Sequence, residues 1–130
     1  VALVRRYFQA CSTGSAGEIA ACFTADATIY DTNLEPVRGA DAAGKFWVTV
    51  RRRWGGARWT VDGALAQGDD AACEWTMTGV ARSDARPFRF RGSDHYRFEG
   101  DLIAEVRQYW TFDEAHLDTG LLGFCYPSDG

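Results

Sequence analysis

Pro87–Glu99 reads PFRFRGSDHYRFE, and the fold is decided by this stretch together with the turn and apolar run that follow it. Its even positions are Phe88, Phe90, Gly92, Asp94, Tyr96 and Phe98; its odd positions are Arg89, Arg91, Ser93, His95 and Arg97. A period of two places these sets on opposite faces of a strand, one greasy and one wet. Two more strands precede it, at 58–66 and 71–82, and a fourth follows at 102–112. The links Gly68-Asp69-Asp70, Ser83-Asp84-Ala85 and Gly100-Asp101 are short turns, so successive strands pair as antiparallel hairpins.

Upstream the period changes. Leu3, Val4, Tyr7, Phe8 and Cys11 follow helical spacing, and Ser12-Thr13-Gly14 stops the face. Ser15 with Glu18 three residues on is a capping box, opening a short helix that buries Ile19, Cys22 and Phe23. Thr24-Ala25-Asp26 is expected to turn. A short strand at 27–31 then puts Ala27, Ile29 and Asp31 on one face. Residues 32–39, with Asn33, Pro36 and Gly39, read as a loop. A third helix spans 40–54, with Ala43, Phe46, Trp47 and Val50 on one stripe and Gly55-Gly56 as its stop. Asp41 at its start and Arg51, Arg52 and Arg53 at its end suit the helix dipole. Helices first and strands afterwards is an α+β order, in which the helices pack on one face of a curved antiparallel sheet.

The 130 residues fit one domain, 1–130, large enough to hold a core without a metal or disulfide staple. Five Trp, eight Phe and five Tyr exceed what filling so small a core requires, and suggest a ring-lined cavity or an aromatic interface. Asp and Glu outnumber Lys and Arg by 18 to 14, which argues against nucleic acid as a partner. The Arg89, Arg91 and Arg97 row reads as a solvated or interfacial sheet face. No apolar run is long enough to span a bilayer and no leader pattern is present, so the expectation is a cytoplasmic protein. Cys11, Cys22, Cys73 and Cys125 lack metal-site spacing and read as reduced core thiols, with disulfides as the alternative.

Two carboxylates break the pattern. Asp94 is the one ionisable group on the apolar face of its strand, where a charge is costly and the pKa should rise. Asp31 shares a face with Ala27 and Ile29 at a strand end. Tyr7 lies on the inward stripe of the first helix, where its hydroxyl needs a partner. Converging at the edge of an aromatic core, the three make an acid/base site. Each also has a plainer reading: a core tyrosine, a turn-former with Thr32 and Asn33, and an arginine-paired aspartate. His95 should point away from the interior. His116 lies in a tail at 114–130 that packs back on the body, where it could close over the pocket mouth.

With these residues in hand, the chain resembles the nuclear transport factor 2-like superfamily, in its SnoaL-like and ketosteroid-isomerase-like branch. Arg6-Tyr7-Phe8 to Gly14 and the stretch from Ala20 to Thr28 are similar to that group's opening helices and first strand. So are Arg38-Gly39, the run Asp94 to Phe98, and Asp101-Leu102-Ile103 to Tyr109-Trp110 in their places. The resemblance implies a cystatin-like fold: a cone-shaped curved sheet, antiparallel or mixed, on three N-terminal helices around a hydrophobic pocket. Isomerases, cyclases, dehydratases, epoxide hydrolases and non-catalytic binders share this scaffold.

Steroid isomerases of the group use an aspartate base at the end of the first strand, with a tyrosine and a protonated aspartic acid as an oxyanion hole. The resemblance puts Asp31, Tyr7 and Asp94 at those positions. Thr32 stands where the isomerases usually carry proline, and Arg107-Gln108 stands where epoxide hydrolases have a second aspartate, which argues against that chemistry. The reading is an enzyme that moves a proton next to a carbonyl in a hydrophobic, ring-containing small molecule, without a cofactor or metal. Trp47, Trp75, Met77, Phe88, Phe90 and Tyr96 are the expected pocket wall. The alternative is a non-catalytic small-molecule-binding or dimerisation domain. A homodimer through the sheet face is implied by the family. A guanidinium beside Asp94 would favour the binder, and Tyr7 within hydrogen-bond reach of it the enzyme.

Overall fold

The computed structural model describes residues 1–127. Helix α1 (Ala2–Thr13) buries Val4, Tyr7, Phe8 and Cys11, one side of the stripe read from the sequence. Ser12 fastens α1 to the sheet by accepting a hydrogen bond from the Trp59 backbone N–H at 2.9 Å. Helix α2 (Ala16–Ala20) starts at the Ser15–Glu18 capping box, both halves of which form. Helix α3 (Ala40–Arg53) buries Ala43, Gly44 and Trp47. It is tied to the end of α1 by Arg51, whose guanidinium donates to the carbonyls of Cys11 and Gly14 at 2.9 and 2.7 Å.

Six strands form one sheet: β1 (Phe23–Asp31), β2 (Leu34–Arg38), β3 (Trp54–Gln67), β4 (Asp70–Ala81), β5 (Pro87–Glu99) and β6 (Leu102–Trp110). Their order is β2-β1-β6-β5-β4-β3. All neighbours are antiparallel except β1 and β6, which are parallel and are separated in the chain by β2, α3 and the long hairpins. The sheet is therefore mixed. Register shifts in β3 at Gly55/Arg58 and Val61/Gly63 bend the longest strand over the helices.

The departures from the sequence reading have local causes. Residues 24–26 belong to β1 rather than a turn, in the stretch where the β1–β6 ladder loses register. The expected loop at 32–39 contains β2, an exposed edge strand paired on one side only, so its side chains carry no apolar alternation and its Pro36 is tolerated. Gly55-Gly56 does not stop the chain but opens β3 at a bulge, with Gly56 at φ 64°.

The outer face also differs. Arg91 is buried, not wet: its guanidinium stacks 3.7 Å above the Tyr126 ring and donates to Thr76. The tail packs back as expected, with Arg89 pairing to Asp118, but along β5. His116 bonds the neighbouring Asp113 and lines no part of the pocket described below, so it is no lid. Cys11, Cys22 and Cys73 are buried free thiols, whereas Cys125 is exposed. Residues 128–130 of the expected tail lie outside the described residues. No helix is long and apolar enough to cross a membrane among them.

Candidate functional site

Pairing register assembles the site. Asp31 of β1 lies opposite Gln108 of β6, which lies opposite Asp94 of β5, which lies opposite Cys73 of β4. The four side chains form one row across the inner face, and two strand spacings put the two aspartate backbones roughly 10 Å apart. The next row holds Trp110, Gly92 and Trp75. Gly92 is glycine for a steric reason: a Cβ there would lie 2.5 Å from the Trp75 ring and 2.9 Å from Cβ of Trp110. Without it the two indoles meet edge-on at 6.0 Å, each reaching a different carboxylate.

A cavity of about 320 Å³ opens between α3 and these rows. All five tryptophans of the chain line it, at positions 47, 54, 59, 75 and 110, with Phe46, Val50, Met77 and Phe112. Its polar lining is Asp31, Asn33, Arg53 and Gln108, so Asp31 is the one acid on its wall. A second chamber of about 10 Å³ shares Trp47, Trp59, Trp75 and Gln108 with the first and adds Tyr7, Phe8, Cys11 and Asp94. It is the floor of the pocket, with room for about one water-sized group.

The Asp31 carboxylate is half-buried and held by four donors. Oδ2 accepts from Gln108 Nε2 at 2.8 Å and from Trp110 Nε1 at 2.9 Å. Oδ1 accepts from the Asn33 backbone N–H at 2.8 Å and its side-chain amide at 3.2 Å. The turn-forming role and the pocket position are thus combined in one residue. Thr32, where the resemblance leads one to expect proline, donates through Oγ1 to the Trp110 carbonyl at 2.5 Å and so fixes the loop to β6.

Asp94 is buried, 2 % exposed. Trp75 Nε1 donates to Oδ1 at 2.7 Å and the Tyr96 hydroxyl to Oδ2 at 2.6 Å. Burial pushes its pKa up to about 7; the hydrogen bonds from Tyr96 and Trp75 work against the rise, and the charge on Asp31 adds to it. Behind Tyr96 lies the Cys73 sulfur at 3.7 Å from the phenol, its thiol raised by burial to about 12. Burial likewise raises the Tyr7 phenol well above its ordinary value, with Cys11 and Asp94 adding to the rise.

Of the residues expected on the pocket wall, Trp47, Trp75 and Met77 line it together with Asp31. Phe88, Phe90 and Tyr96 do not. Phe90 packs against Trp54, Trp110 and Phe112, larger or farther-reaching rings that cover it. Tyr96 is turned to Asp94. Tyr7 and Asp94 share the floor chamber but form no hydrogen bond with each other; the phenol that donates to Asp94 is that of Tyr96, two residues along the same strand and face. No cation bonds Asp94 among the described residues; its partners are an indole and a phenol. His95 is exposed on the outer face, as alternation requires.

Sequence reasoning missed Gln108, Trp110, Trp54 and Trp59. Gln108 had a signal: it is a polar residue between Val106 and Trp110 on the inner face of β6, the same kind of anomaly as Asp94. Among the described residues no group of three or more His, Cys, Asp or Glu side chains could hold a metal ion.

This geometry defines a cystatin-like α+β cone with a ring-lined internal pocket. The chain belongs to the SnoaL-like domain family, whose model matches residues 4–106. Solved structures agree on the fold. One is a protein with a ketosteroid isomerase-like fold from Catenulispora acidiphila DSM 44928, in complex with trimethylamine. It is 17 % identical, covers 88 % of each chain and has a TM-score of 0.79. A SnoaL-like polyketide cyclase candidate from Jannaschia sp. CCS1 is 13 % identical over 84 % of this chain and 83 % of that one, at a TM-score of 0.74. A cystatin-like-fold protein of unknown function from Methylobium petroleophilum PM1 is 24 % identical over 99 % and 88 %, at 0.73. No curated protein matches the chain.

Proposed function

We propose that the chain is an enzyme that moves a proton on the carbon next to a carbonyl of a small, apolar, ring-containing molecule, with Asp31 as the base. One observation carries this reading: Asp31 is the single acid on the wall of a cavity built mostly from five indoles and their apolar neighbours, with Asn33, Arg53 and Gln108 as its other polar lining. Four donors fix the direction of its carboxylate, and positioning of that kind is what a general base requires. Isomerisation, cyclisation by an aldol-type step and dehydration all pass through the enolate that such a base generates.

The test is α-proton exchange into D2O on a panel of apolar cyclic ketones, followed by proton NMR. The native chain should accelerate exchange, and Asp31→Asn should lower the rate by roughly 10²–10⁴-fold, the usual contribution of a positioned base. Equal rates in the two proteins would remove Asp31 from the chemistry.

A second reading is a non-catalytic binder, and one observation favours it: both Asp31 oxygens already accept two hydrogen bonds each, which a purely structural turn would also need. Binding of the ketones with no exchange above buffer would select it. The homodimer implied by the family belongs to this proposal too. His95, Arg97, Arg107 and Tyr109 give the outer face an open stretch beyond the tail, and sedimentation equilibrium reads the state directly.

A further inference from the structure

Helix α3 ends in three arginines that are used differently. Arg51 gives its donors to the carbonyls of Cys11 and Gly14. Arg52 is exposed and lines no part of the cavity. Arg53 lines the cavity from its exposed rim, where Asn33 and Leu34 also lie. Its guanidinium carbon is 5.2 Å from the centre of the Trp54 ring and 5.8 Å from that of Phe112, and both rings belong to the cavity wall. These two faces hold a positive charge at the mouth. Among the described residues no hydrogen bond or ion pair engages Arg53, so its five N–H donors meet no protein acceptor. Asp31 carries the opposite charge on the same wall and does not pair with it; its oxygens are held by Gln108, Trp110 and Asn33. The helix dipole accounts for a basic residue at this end of α3, but not for its seat on two rings of the cavity.

We propose that Arg53 selects an acidic ligand: the substrate is a ring ketone that carries a carboxylate, bound with its rings among the tryptophans and its carboxylate on the Arg53 guanidinium. The planar fork of N–H donors matches a carboxylate through two parallel bonds. A cavity of about 320 Å³ suits a small ring body and leaves the acid group at the rim, where part of its hydration is kept. Asp31 repels an anion placed near it, so the carboxylate is directed to Arg53 and the neutral ring is left to face the base. The chain has a formal charge of -4, so a preference for anions would come from this site and not from overall charge. The inference deepens the proposed function by naming the substrate class, and rests on that reading for the ketone.

Isothermal titration calorimetry tests it with 2-naphthoate, 2-naphthamide and 2-naphthylmethylammonium, which share a ring body and differ in charge. The native chain should bind the naphthoate about tenfold more tightly than the amide, an advantage that shrinks as salt is raised. Arg53→Gln should bring the ratio of the two affinities to about one, and Arg53→Lys should keep part of it. Arg52→Gln removes the same charge one residue away and should change the ratio by less than about twofold. Taking the ratio cancels packing changes that act on both ligands. None of the three ligands needs the base, so a ratio that collapses in Arg53→Gln, in a chain without ketone exchange, would remove only the role of Asp31. Four results overturn the proposal: no binding of naphthoate, tighter binding of the amide or the ammonium, a ratio that survives Arg53→Gln, or one that falls equally in Arg52→Gln.

Discussion

Asp31 and Asp94 occupy one row of the sheet with Gln108 between them, and the two carboxyl groups meet different surroundings. Asp31 stands at the cavity wall, half-buried, with four donors on its two oxygens. Asp94 lies beneath the floor with two donors, and burial outweighs both, so its pKa climbs to about 7. The same residue type in the same row thus serves as the carboxylate a ligand can touch and as a buried acid that holds its proton until near neutrality. Distance from solvent and the number of donors separate the roles; position in the row does not.

The largest effect expected on this contrast, after the loss of exchange in Asp31→Asn, comes from neutralising Asp94. Its folded pKa of about 7 exceeds the 3.8 of the unfolded chain. Between about pH 4 and pH 7 the folded protein holds a proton that the unfolded chain has released, so stability falls as pH rises through that window and levels off above it. Three pKa units amount to roughly 4 kcal/mol. Asp94→Asn keeps the shape and removes the titration. Denaturant unfolding should show the variant gaining on the native chain from pH 4 to pH 8, and parallel curves would contradict the contrast.

Gly92→Ala comes next. Its methyl would collide with the Trp75 ring and with Cβ of Trp110, the residues that donate to Asp94 and Asp31 respectively. Overpacking of this kind costs about 1–3 kcal/mol, and both carboxylates should lose alignment at once. Thermal unfolding measures the loss of stability, and ketone exchange measures the base. A variant with native stability and native exchange would show that the indoles are not held through this glycine.

Gln108→Leu is the smallest and the most selective. It removes one of the four donors to Asp31 and none to Asp94. Exchange should drop about tenfold while stability changes by about 1 kcal/mol. An equal effect on the titration of Asp94 would mean that the two groups do not respond separately.

Much of this was legible in the sequence, where period and composition act locally. The alternation over Pro87–Glu99 marked Asp94 as an acid on an apolar face, and the helical stripe brought Tyr7 inward; both are buried where that reading put them. The parity of 27–31 put Asp31 on the inner face, although not the four donors that surround it. What escaped depends on long-range pairing. Edge strand β2 has no apolar face to announce it. Trp110 and Gln108 reach Asp31 only because β6 pairs with β1, far apart in sequence; the Tyr96 phenol, by contrast, was on the right face in the alternation and was read as pocket wall rather than as the partner of Asp94. Arg91 read as a solvated arginine because the aromatic ring that covers it, Tyr126, lies 35 positions along the chain.

Carbon-13 NMR titration of the aspartate carboxyl groups, repeated in Asp31→Asn, tests the contrast most directly. The account predicts that Asp94 titrates with a midpoint of about 7 and that the midpoint moves down when the charge on Asp31 is removed. A midpoint near 3.8, or one indifferent to Asp31, would contradict it.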